Sequence, residues 1–147
     1  MTHASNPVIW KRPESILAII VTRDDDYLVM ERLQPSGFWQ SVTGSLESDE
    51  TPVQAARREL AEETGLVAEP LDQGYFIDFP IREPWRQRYA PEVKTNREHV
   101  FVVTVQSRVA VTLNPQEHRR FEWLSRERTL ERLSSPTNRA AIQRLHV

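Results

Sequence analysis

Three glutamates, Glu59, Glu62 and Glu63, stand at i, i+3 and i+4. On a helix this spacing puts their carboxylates on one side. Like charges that close repel, and on a bare helix each close pair costs about a few tenths of a kcal/mol. Arg57 and Arg58 offset part of that cost, and a divalent cation would offset more. A set of oxygen ligands with no Cys or His beside it suits Mg²⁺ or Mn²⁺ rather than zinc. Taken alone, the three glutamates also suit a solvated acidic face.

The surrounding residues predict the helix that would carry them. Thr51 is a good N-cap, Pro52 suits the first helical position, and Gln54 completes a capping box. Gly65 supplies the C-terminal stop. Val53, Ala56 and Leu60 form the adjacent apolar stripe that would face a core.

The longer stretch is Gly44, five residues, Glu50, seven residues, then Arg58-Glu59-Leu60-Ala61-Glu62-Glu63-Thr64-Gly65-Leu66. It resembles the Nudix box of the Nudix hydrolase family, a loop-helix-loop here spanning 44–66. The resemblance implies a metal-dependent enzyme that cleaves a diphosphate joined to another moiety. It also implies the Nudix fold, an α/β/α sandwich with a mixed β-sheet.

Composition fits that expectation. The chain has 147 residues, 39% apolar and 27% charged, with a net charge of −2. That suits one domain over 1–147 with its own core. Neither bulk nucleic-acid binding nor membrane binding is expected. Without cysteine there is no disulfide or thiolate chemistry. The apolar run Ile16–Val21 is too short for a membrane span or signal core, so a cytoplasmic protein is expected.

In chain order, residues 1–9 read as a polar, irregular lead-in. Strands are expected over 15–22, 27–32, 74–81, 98–106 and 121–124, with shorter pieces at 67–71 and 109–113. Residues 82–97 read as a long basic loop with Trp85 and Tyr89 interleaved. Ser125 and Ser135-Pro136 mark two helix starts, the second helix running to the end of the chain.

Further segments resemble the branch of the family that hydrolyses dihydroneopterin triphosphate in bacterial folate biosynthesis. They are Lys11-Arg12-Pro13, Phe38 to Gly44, Arg88-Tyr89-Ala90-Pro91, Glu117-His118 with Trp123-Leu124, and Asn138-Arg139. The resemblance implies that Glu59, Glu63 and the distant Glu117 are catalytic metal ligands, with Glu62 supporting or joining them. It makes Glu50–Arg58 the ion pair that braces the box around Gly44. Lys11, Arg32, Thr43 and Ser135 match positions near substrate, and Phe79, Arg82 and Arg88 complete the expected binding set. Between Phe79 and Arg82 only Phe79 matches. The expected partner is a small-molecule triphosphate, cleaved with Mg²⁺ to a monophosphate and pyrophosphate. Nucleoside triphosphates and nucleoside diphosphate sugars are the alternative substrates. A non-catalytic ligand-binding module is a weaker alternative, because every box carboxylate is present.

Overall fold

A computed structural model describes residues 9–145. Residues 1–8 of the expected lead-in, and the last two residues of the expected terminal helix, lie outside the described residues. The elements run β1 (Glu14–Thr22), β2 (Asp26–Arg32), β3 (Trp39–Gln40), β4 (Val42–Ser45), α1 (Pro52–Thr64), β5 (Leu71–Pro80), β6 (Thr95–Val105), β7 (His118–Ser125), α2 (Arg126–Arg132) and α3 (Pro136–Arg144). No helix among the described residues is long and apolar enough to cross a membrane.

The sheet is mixed. β1 runs parallel to β6 over its whole length, from Glu14↔Arg97 to Thr22↔Val105. Its other edge pairs with β2 only near the hairpin, at Val21↔Tyr27. The two strands then part, and residues 39–45 fill the gap. They pair first with β2 at Glu31↔Trp39 and Met30↔Gln40, then with β1 from Ala18↔Val42 to Ser15↔Ser45. β7 lines the far edge of β2, and β5 the far edge of β6.

Both faces of β1 are covered, so its apolar residues run without a break. Ile16, Ala18 and Ile20 join Val42, Phe101 and Val103 under Ala55, Ala56 and Leu60 of α1. Leu17 and Ile19 point the other way, to Val100, Trp39, Ala141 and Ile142 on the side of α2 and α3. This is the expected α/β/α sandwich.

Several expected boundaries move. Residues 109–113 form no strand. Thr112 N donates to Thr64 O at 2.9 Å, meeting a carbonyl that the end of α1 leaves without a helical partner. Val111 and Leu113 bury against the α1-side core. β-branched residues cover a helix end as well as they pair in a sheet, so their alternation misled. Residues 67–70 are likewise outside any strand. The edge strand is one piece, 71–80, with a register shift between Asp72 and Phe76 around Gly74 at φ +76°. β6 already begins at Thr95, inside the expected loop, and β7 extends back to His118. A 3₁₀ turn at Trp85–Arg88 gives the remaining loop some order.

Candidate active site

α1 starts and stops as its end residues dictate. Thr51 Oγ1 accepts from Gln54 N at 3.3 Å, and Gln54 Oε1 accepts from Thr51 N at 2.9 Å. Gly65 adopts φ +73° and donates to Ala61 O. The phase this sets turns Glu59 and Glu63 inward, each less than one-tenth exposed, and leaves Glu62 in solvent. The three carboxylates therefore do not share one environment, although they share one side of the helix.

Arg58 ties the box together. It grips Glu50 with two bonds of 2.8 Å, from Nε and Nη2. Nη1 donates to Glu59 Oε1 at 2.7 Å and to Glu62 Oε2 at 3.2 Å, and Nη2 also reaches Ser45 O. The Arg58 bonds hold the Glu50 carboxyl below the usual carboxylate range. Gly44 supplies room, because a Cβ there would lie 2.1 Å from Glu59 Cδ.

Glu63 is 1% exposed, and both its oxygens lack a hydrogen-bond partner. Burial first, then the neighbouring Glu59 carboxylate, pushes it well above the ordinary range. Burial raises Glu59 too, against the pull of Arg58. A buried carboxylate without partners is costly unless something positive meets it.

The β2–β7 pairing brings the opposing group. A register shift after Glu31↔Arg120 sets Arg32 opposite His118, and Leu33 N bonds Glu117 O at 2.8 Å. Ligand atoms of Glu63, Glu117 and His118 consequently lie within 4.8 Å of one another. His118 is buried, and burial followed by the Arg32 charge pushes it down to about 4. It is a neutral imidazole, with Nε2 3.6 Å from Glu63 Oε1 and 3.3 Å from Gln40 Nε2. In the sequence His118 stands beside Glu117 with nothing to mark a role for it, and nothing marks Gln40. Adjacency to Glu117 was the only available signal.

Two of the expected binding cations, Lys11 and Arg32, face these carboxylates, with Arg88 beside both. Lys11 N bonds Arg88 O at 2.8 Å. Burial, then Arg88 and Arg32, lower the Lys11 pKa, while Glu59 and Glu117 oppose them. Arg32 feels Glu63 and Glu117, and its guanidinium sits 5.7 Å from the Trp85 ring. Thr43 and Phe79 lie on the opposite face of the sheet, opposite Leu17 and Asn96 respectively. Ser135 caps α3, its Oγ accepting from Asn138 N. Arg82 is exposed, and no described contact ties its side chain to the carboxylates.

Buried carboxylates under a cover of cations suit a polyanion bridged by metal. The chain matches the NUDIX domain over residues 11–145. It belongs to the Nudix family. It is 36% identical to dihydroneopterin triphosphate diphosphatase of Haemophilus influenzae, over 92% of this chain and 88% of that one. The enzyme of the same name from Escherichia coli K12 is 38% identical, over 92% and 93%. The solved E. coli dihydroneopterin triphosphate pyrophosphohydrolase superposes with a TM-score of 0.86 at 34% identity, covering 92% of this chain and 96% of that one. Members of this Nudix family use divalent metals, and the orphaned oxygens of Glu63, with Glu117 opposite, fit such an ion.

Proposed function

We propose that this Nudix chain, as one catalytic domain over residues 1–147, hydrolyses dihydroneopterin triphosphate to dihydroneopterin monophosphate and pyrophosphate in folate biosynthesis. The observation that carries this reading is 36–38% identity, over 92% of this chain, to enzymes named for that substrate, together with the presence of Glu59, Glu62, Glu63 and Glu117.

Glu59, Glu63 and Glu117 would hold Mg²⁺, with Mn²⁺ able to replace it, and Glu62 lies at their solvent side. A bound cation neutralises phosphate oxygens and makes coordinated water acidic. Glu59 is held against Gly44 by Arg58, so its carboxylate is placed before substrate arrives. Neutral His118 packs against Glu63 without adding a competing charge. Lys11, Arg32 and Arg88 take the triphosphate's negative charge and stabilise the leaving group. Water adds to the α-phosphorus, the bond from that phosphorus to the α–β bridging oxygen breaks, and the departing pyrophosphate oxygen keeps the electron pair. A carboxylate of the cluster takes the water's proton. Thr43, Phe79, Arg82 and Ser135 contact the rest of the substrate.

Product analysis tests the proposal. With dihydroneopterin triphosphate and Mg²⁺, equal amounts of the monophosphate and pyrophosphate are expected. Release of orthophosphate alone, or faster turnover of nucleoside diphosphate sugars, would overturn it.

A further inference from the structure

On the sheet face away from α1, the start of β1 carries a second buried polar group. Glu98 lies on β6 opposite Ser15, is 6% exposed, and pairs with no cation among the described residues. Its only described hydrogen bond is a long one, 3.4 Å, from Thr137 Oγ1. Asn96 is two residues earlier on the same strand face and is 2% exposed. Its Nδ2 donates to Ser15 Oγ at 2.7 Å, which leaves Oδ1 buried and without a partner. The Tyr75 hydroxyl is another buried atom without a partner, and it feels the Glu98 charge.

Buried polar groups left unpaired are costly, so Asn96 Oδ1, which has no partner, and the weakly bonded Glu98 carboxylate on the same strand face call for a donor. Both Glu98 and Asn96 Oδ1 accept hydrogen bonds. The missing ligand therefore presents N–H groups, at least two of them side by side. Burial raises the Glu98 carboxyl to about 7, the direction expected of an acceptor whose donors are not in place.

Position connects this group to the carboxylates. Ser15 pairs with Glu98 on one side and with Ser45 on the other, so Glu98 and Ser45 are about 10 Å apart, two strand spacings. The next residue, Gly44, holds Glu59. Residues 88–89 turn around the same end of the sheet: Arg88 O bonds Lys11 N, while Tyr89 lies near both Ser45 and Glu98. A ligand lying over that end would span from the carboxylates to Glu98.

We propose that Glu98 and Asn96, with Asn96 fixed by Ser15, determine specificity for the substrate's ring by accepting N–H bonds from a 2-amino-4-oxo-pyrimidine edge. That edge offers a ring N–H and an exocyclic amine in parallel, which a carboxylate takes as a pair. Pterins and guanine have it, and adenine does not. The inference rests on the triphosphate-hydrolase reading above. Sites built to bond a substrate N–H reject analogues lacking it by large factors, because the buried acceptors stay unpaired.

The test compares kcat/KM for dihydroneopterin triphosphate, GTP and ATP in wild type, Glu98→Gln and Asn96→Ala. It also measures the Kd of neopterin without metal, by its fluorescence. Gln keeps the shape of Glu98 but turns an N–H toward the ligand's donors. Glu98→Gln is expected to lose at least tenfold (about 1.4 kcal/mol) on the pterin and on GTP, to leave ATP within about twofold, and to weaken neopterin binding in parallel. Asn96→Ala is expected to lose less, with the same selectivity. Equal losses on all three substrates, or unchanged neopterin binding, would overturn the inference. Should wild type turn over no dihydroneopterin triphosphate, the functional reading fails by itself. The ring site is then judged on the GTP-to-ATP ratio and on neopterin affinity.

Discussion

Gly44 lies directly against Glu59: a Cβ at residue 44 would approach the carboxylate carbon to 2.1 Å and Oε1 to 2.3 Å. The box glycine therefore acts through space on a side chain of α1. Gly44→Ala should keep the fold, since Gly44 sits in regular pairing with Ile16. Displacing Glu59 by about 1 Å should lower kcat by about 100-fold. Steady-state kinetics beside circular dichroism checks this.

Arg58 is irreplaceable by another cation. Its fork meets Glu50, Glu59 and Ser45 O simultaneously, and a lysine ammonium cannot reproduce that geometry. Arg58→Lys should destabilise folding by about 1–3 kcal/mol, read by urea denaturation. Arg57→Lys, at the exposed Arg57–Glu69 pair, should show little change.

Glu63 carries a burial cost that only a partner can offset. Its carboxyl is raised in the folded protein, so the native state favours the neutral form. Glu63→Gln supplies a neutral side chain at all pH values. The metal-free variant should melt no lower than wild type at pH 8, and turnover should fall by orders of magnitude. Scanning calorimetry and Mn²⁺ titration separate the two effects.

Glu117 stands exposed at the loop end, where nothing in the fold depends on its side chain. Glu117→Ala should leave metal-free thermal stability unchanged. It should lower kcat more than it raises KM, because its carboxylate lies within 4.8 Å of that of Glu63, its proposed partner in holding the metal. A full Michaelis–Menten series gives the split.

The Glu98 contribution to stability should fall with rising pH over a defined window. Glu98 is raised from 4.5 to about 7 on folding, by burial. The native state thus binds the proton more tightly than the unfolded chain. Its contribution is complete below about pH 4.5 and is lost as pH rises through about 7. The loss is on the order of 3 kcal/mol. Buried His118, lowered to about 4, works in the opposite direction, so the readout is the difference between wild type and Glu98→Gln. Denaturation of the two metal-free proteins from pH 4.5 to 8 should show wild type losing stability relative to the variant as pH rises.

The sequence by itself determined α1 and its box. Caps, stop and the i, i+4 carboxylates obey local rules, in which every interacting residue lies within four positions of its partner. Repeated apolar runs likewise made the sandwich legible, because strands buried on both faces must be apolar throughout. The tertiary structure decided everything that required another segment. Helical phase relates Glu59, Glu62 and Glu63 to one another. Only the packing of α1 on β1 and β4 buries two of them and exposes the third. The register shift in β2–β7 sets His118 against Glu63, and no local pattern encodes a shift between strands some ninety residues apart. The alternation at 109–113 satisfied a helix end instead of a sheet edge, since apolar burial does not specify its partner. Asn96 and Glu98 became a buried acceptor pair only when β6 took its place beside β1. A polar residue in a strand carries no sign of what will cover it.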